Sequence, residues 1–158
     1  MRRYIVPMVN QTIAGASTLV FINPGTTRAI EIVAAEVSQS GSATSERRRI
    51  QFVTQVSAFP TLTSTTPFAL DGGAGTSAIA GGTAGAAGTC GTDASAEGAG
   101  AKTTVREWAF DVVTGWQWWA IKDSIILNAS GSSGFGLYLP AAPTSLVNWS
   151  ASITYIEH

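Results

Sequence analysis

Val147, Trp149, Ala151, Ile153 and Tyr155 alternate without a break with Asn148, Ser150, Ser152, Thr154 and Ile156. A period of two over nine residues fits a strand with one buried face and no helix. The same period recurs along the chain. Tyr4, Val6 and Met8 alternate with Ile5, Pro7 and Val9. Pro7 offers no N–H to a neighbour, which places that strand at a sheet edge. Ile50, Phe52, Thr54, Val56 and Ala58 alternate with Arg49, Gln51, Val53, Gln55 and Ser57, and Phe135, Leu137 and Leu139 alternate with Gly136 and Tyr138. Residues 28–39 match helix and strand templates alike, and their β-branched content selects strand. Thr18 to Ile22 and Ser124 to Asn128 add short apolar runs. Eight main strands at this spacing predict an all-β chain: an antiparallel two-sheet sandwich of jelly-roll type.

One stretch stands out chemically. Residues 105–119, VREWAFDVVTGWQWW, hold four of the five tryptophans. They read as two strands meeting at Gly115. Arg106, Trp108, Phe110 and Val112 share one face of the first; Trp116 and Trp118 share one face of the second, opposite Gln117 and Trp119. Three indoles in four residues exceed what one core layer holds. One face is therefore expected in the core, with Trp108 and Phe110, and the other under a second molecule. Trp116, Trp118 and Trp119 are the candidate interface residues. Arg47 and Arg49, in the only basic cluster, join them as a contact to acidic groups on a partner or to a nucleic-acid backbone; the plainer reading is a solvated, salt-bridged strand start.

Residues 59–104 differ in kind. Ten of the seventeen glycines lie between residues 59 and 101, with no helix or strand period between residues 72 and 100. This low-complexity excursion within a single domain, residues 1–158, is expected to run over a neighbouring subunit, the alternative being a flexible loop.

Catalytic chemistry finds little footing. The single histidine is His158 and the single cysteine Cys90, so Ser-His, Cys-His and multi-histidine metal sites are not expected. Cys90 is expected to be a buried inert thiol. Glu107 and Asp111 share a strand face, but four strand steps place their Cα atoms about 13 Å apart, long for a glycosidase pair. The net charge of -1 argues against nucleic acid. The six-residue apolar run after Arg2–Arg3 is short for a signal peptide, and no run is long enough for a membrane-spanning helix.

The segments Gly115–Trp118 (Gly-Trp-x-Trp), Ser124–Asn128, Gly136–Pro140 (Gly-Leu-x-Leu-Pro) and Asn148–Ile153 (Asn-Trp-Ser-Ala-Ser-Ile) together resemble a group of small tailed-phage virion proteins: capsid decoration (cement) or minor structural proteins. The resemblance covers roughly residues 28–58 and 104–158. It implies a tumour-necrosis-factor-like jelly roll, a homotrimer bound to the major capsid protein or another virion protein, located in the virion, with no cofactor and no enzymatic activity. Two other classes stay open: a carbohydrate- or receptor-binding module that uses Trp116 and Trp118, and a subunit of a phage fibre or filament.

Overall fold

The computed structural model describes every residue except Ala43, Gly73 and Ala74, the last two of which fall in the low-complexity excursion. It contains thirteen strands and, among the described residues, no helix. These are β1 (Arg2–Gln11), β2 (Ser17–Asn23), β3 (Ile30–Gln39), β4 (Arg47–Val56), β5 (Thr61–Ser64), β6 (Phe68–Ala69), β7 (Ala80–Gly81), β8 (Thr89–Ala96), β9 (Lys102–Asp111), β10 (Trp116–Trp119), β11 (Ile125–Leu127), β12 (Ser133–Leu139) and β13 (Trp149–Glu157). They form two sheets. Sheet A has the order β10-β3-β13-β1-β6, with β11 also on β3; sheet B has the order β5-β8-β2-β12-β4-β9, with β7 on β8. Every pairing is antiparallel except β7 with β8. The chain crosses between sheets at β1–β2, β2–β3, β3–β4, β5–β6, β6–β7, β9–β10, β11–β12 and β12–β13. The fold is a jelly-roll sandwich.

The alternation sorts the core as read. Tyr4, Val6 and Met8 of β1 and Trp149, Ala151, Ile153 and Tyr155 of β13 are buried, and meet Val20, Ile22, Ile50, Phe52, Phe135 and Leu137 of sheet B. The Trp149 indole N–H donates to the Ser145 carbonyl at 2.7 Å, so its polar end is satisfied although the ring is fully buried. Val147 lies before β13 and is exposed, so the apolar period begins one step late. Pro7 does sit on an open edge: β6 covers only Tyr4 and Ile5 of β1.

β4 departs from its predicted faces. Ile50 and Phe52 enter the core, but Val56 is exposed, while Val53 and Gln55 on the other face are buried. A register shift against β9 falls at Phe52/Val53. The outer face of sheet B is not solvated there, because the low-complexity segment lies over it. Gln55 donates from its amide to the Ala58 and Glu97 carbonyls at 2.9 and 3.2 Å.

The low-complexity segment packs on the chain's own two sheets. β5, β7 and β8 extend sheet B beyond β2, and β6 caps β1 of sheet A. Phe59 packs on Phe21, ring centroids 5.7 Å apart, on the outer face of sheet B. Glu97 accepts from the Thr18 N–H and hydroxyl, both at 2.6 Å, and pairs with Lys102 at 3.1 Å. Glu157 accepts from Ser77 and from the Ala78 N–H and lies 3.6 Å from Arg28. The segment lacks a hydrophobic period because it covers existing strands rather than building a core of its own. Cys90 lies within it on β8, fully buried, with its thiol pushed up to about 12 by desolvation.

Candidate functional site

The tryptophan-rich stretch joins the two sheets. β9 is the edge strand of sheet B and β10 an edge strand of sheet A. The connection turns at Asp111, whose carbonyl accepts the Thr114 and Gly115 N–H groups at 3.2 and 3.0 Å. Gly115 has φ +72°, and a Cβ there would stand 2.9 Å from the Val37 carbonyl oxygen, so the crossing requires glycine.

The indoles gather in the mouth between these two edges, around Phe52. Its ring centroid lies 4.9 Å from Trp108, 5.8 Å from Trp116, 5.0 Å from Trp118 and 5.0 Å from Phe135, and the three indoles meet it edge to face. Trp108 and Trp116 are 5.1 Å apart. Trp116 is buried, which corrects its place among the interface residues: it is a core side chain. Trp118 and Trp108 are half-buried and packed against the core. Trp119 points the other way and is 64% exposed. The alternation thus holds, with Trp116 and Trp118 on the core face and Gln117 and Trp119 outside.

Arg47 and Arg49 are exposed on β4, opposite Asp111 and Ala109 of β9. Arg49 pairs with Glu107 at 3.5 Å, and Gln51 also donates to that carboxylate. This is the solvated strand face, away from Trp119. Asp111 accepts from Ser45 and from the Val113 N–H; those bonds hold its carboxyl below the usual carboxylate range. The two carboxylates therefore serve neighbouring side chains and do not converge. No group of three or more His, Cys, Asp or Glu residues comes together among the described residues.

Trp119 instead forms one wall of a groove of about 460 Å³ on the outer face of sheet A. Cross-strand register explains its make-up. Trp119 stands opposite Ala34, Ala34 opposite Thr154, and Thr154 opposite Ile5. One pleat away, Gln117 stands opposite Glu36, and Glu36 opposite Ser152. An apolar row with a small-residue floor thus runs beside a polar row. Ser152 donates to Glu36 Oε1 at 3.0 Å. Arg3 and Leu70 close the far side. A second, smaller hollow beside it is lined by Arg106, Trp118, Trp119, Ile121, Lys122 and Asp123.

Of the sequence candidates, only Trp118 and Trp119 reach these hollows. Glu36, Arg3 and Ser152 escaped notice because they lie more than 30 residues from one another and from Trp119 in sequence. Only the strand order brings them together. Comparison with family models, with curated proteins and with solved structures found no match to the chain.

Proposed function

We propose that this chain is a virion structural protein, a capsid decoration subunit that works by binding and not by turnover. The observation that carries the reading is the uneven finish of the sandwich. On one side, the sheets end in short strands, β5 of four residues and β6 of two, each also paired on one edge only. On the other, β9, β10 and β11 each pair with one strand only and leave their outer edges open. That side also carries Val105, Val113, Ile121 and Ile126, exposed by 44, 51, 87 and 61%. Ten residues of open strand with apolar flanks form a template for a further chain. Arg106 and Lys122 there have no ion-pair partner among the described residues, so they are free to meet carboxylates of that chain. The jelly-roll fold and the resemblance to phage decoration proteins support the same reading, with a homo-oligomer, a trimer by the resemblance, seated on the capsid lattice.

The test is sedimentation of the purified protein with and without capsids, alongside its mass by light scattering. The reading expects a closed oligomer that co-sediments with capsids, both weakened by Ile121→Asp. A stable monomer with no affinity for capsid or other virion protein would sink it; open-ended polymers would favour a filament subunit instead.

A further inference from the structure

We infer that the groove on the outer face of sheet A is a carbohydrate site for a neutral hexose unit, with Trp119 as its stacking platform. This role is separate from edge-mediated assembly.

The chemistry of a sugar ring is double-sided, and so is the groove. A pyranose presents axial C–H bonds on its faces, which are attracted to the electron-rich face of an indole. Its equatorial hydroxyls lie around the rim and need planar groups that accept and donate in pairs. Trp119 supplies an exposed indole. The residue opposite it, Ala34, is small, so a ring can settle beside the indole on the sheet surface. Rows on one face of a strand lie about 6.7 Å apart. At that distance from the Trp119 row stand the Gln117 amide and the Glu36 carboxylate, directly opposite each other. One is a donor and acceptor together, the other a paired acceptor. Ser152 holds Glu36 through one oxygen only, leaving Oε2 free for a hydroxyl. Ser152 itself is 5% exposed, so that contact fixes the carboxylate from the sheet side.

Charge selects the class of sugar. The groove contains one cation, Arg3, and one anion, Glu36, neither with an ion-pair partner among the described residues. The two balance, which suits a neutral hexose over a sialic or uronic acid. The volume, about 460 Å³, falls in the range of small-ligand sites and leaves room for one or two rings. The groove also replaces the sequence reading of a sugar platform on Trp116 and Trp118, both of which face Phe52.

The experiment is a screen on an array of neutral glycans, followed by NMR titration of the full chain with cellobiose, lactose and maltose, watching the Trp119 indole N–H. Binding of at least one glycan is expected, with the Trp119 resonance shifting and that of buried Trp149 still. Trp119→Ala should weaken binding about tenfold or more, as loss of an aromatic platform does. Gln117→Ala should weaken it while leaving the mass in solution unchanged; both residues are exposed, so neither variant threatens folding. Absence of any neutral glycan from both screens overturns the assignment, as does binding that survives Trp119→Ala. An oligomer that dissociates on Trp119→Ala, with no glycan bound by wild type, assigns the groove to a second copy of the chain and overturns it equally.

Discussion

Gly134→Ala is a small change at a position where the backbone leaves no room. Phe21 lies flat on the outer face of sheet B, across β12. A Cβ on Gly134 would stand 2.1, 2.5 and 2.9 Å from Phe21 Cζ, Cε1 and Cε2. The ring cannot slide away freely, because Phe59 packs on it and Gly136 and Thr18 lie beneath it. Forcing one methyl into a filled site costs about 1–3 kcal/mol. Removing glycine from a strand returns about 0.5–1 kcal/mol of backbone entropy. The net expectation is a loss of about 1–2 kcal/mol, or roughly 2–8 °C in melting temperature for a chain of this size. The three clashing atoms are all absent from leucine. In a Phe21→Leu background, Gly134→Ala should therefore cost nothing, or stabilise slightly. Urea unfolding of wild type, both single variants and the double variant, followed by tryptophan fluorescence, gives the coupling energy directly. A coupling above about 1 kcal/mol is expected. Additivity within about 0.5 kcal/mol would refute the claim that Gly134 exists to seat Phe21.

Glu97→Gln removes the carboxylate that accepts from Thr18 at two atoms and pairs with Lys102. A loss of about 1.5–3 kcal/mol for bonds to a charged acceptor, with faster amide exchange in β8 than in β13, is the expected result in hydrogen-exchange measurements. Cys90, with its thiol pushed up to about 12, should resist a disulfide-exchange reagent at pH 8 in the native protein and react at once in denaturant; prompt native reaction would show the strand opening. Asp111 titrates below its unfolded value because Ser45 and the Val113 N–H hydrogen-bond its ionised form. Its contribution to stability is thus present above the unfolded pKa, about 3.9, and is lost as pH falls through the lower folded value. An NMR titration should find Ser45→Ala moving the Asp111 carboxyl upward toward the ordinary range.

The sandwich was legible in the sequence because its signal is local. Trp149, Ala151, Ile153 and Tyr155 declare their face at a period of two, and so do Phe135, Leu137 and Leu139. The segment from residue 59 to 101 was not legible for the opposite reason. Its strands lie on surfaces supplied by others: β8 on β2, and Phe59 on Phe21. A strand that borrows its burial needs no alternation of its own, and small residues suit it because they let backbones lie close. The same reasoning explains Val53 and Gln55, which read as a solvated face until the covering segment is in place. In the tryptophan stretch, alternation separated Trp116 and Trp118 from Gln117 and Trp119 correctly, yet gave no means of deciding which pair faced inward. That choice rests on Phe52, some 60 residues earlier, whose ring the inward indoles surround. The groove was hidden further still, since Glu36, Ser152 and Arg3 become neighbours of Trp119 only through the order β10-β3-β13-β1.

The covering segment also bears on what is left bare. An exposed sheet edge invites pairing with any strand nearby, and proteins usually blunt it with charge, proline or a covering loop. On the β1 and β2 side, this chain uses Pro7 and its own β5 to β8. On the β9 side, the described residues of the segment leave Val105, Ala109 and the mouth of the sandwich uncovered. The β9 edge carries Lys102, Arg106, Glu107 and Asp111 but no covering strand, which leaves its backbone available for pairing in an assembly. Trp119 lines both the groove on the face and the hollow at the edge, whereas Trp118 and Ile121 line the hollow alone. Ile121→Asp therefore tests the proposed assembly surface without touching the groove.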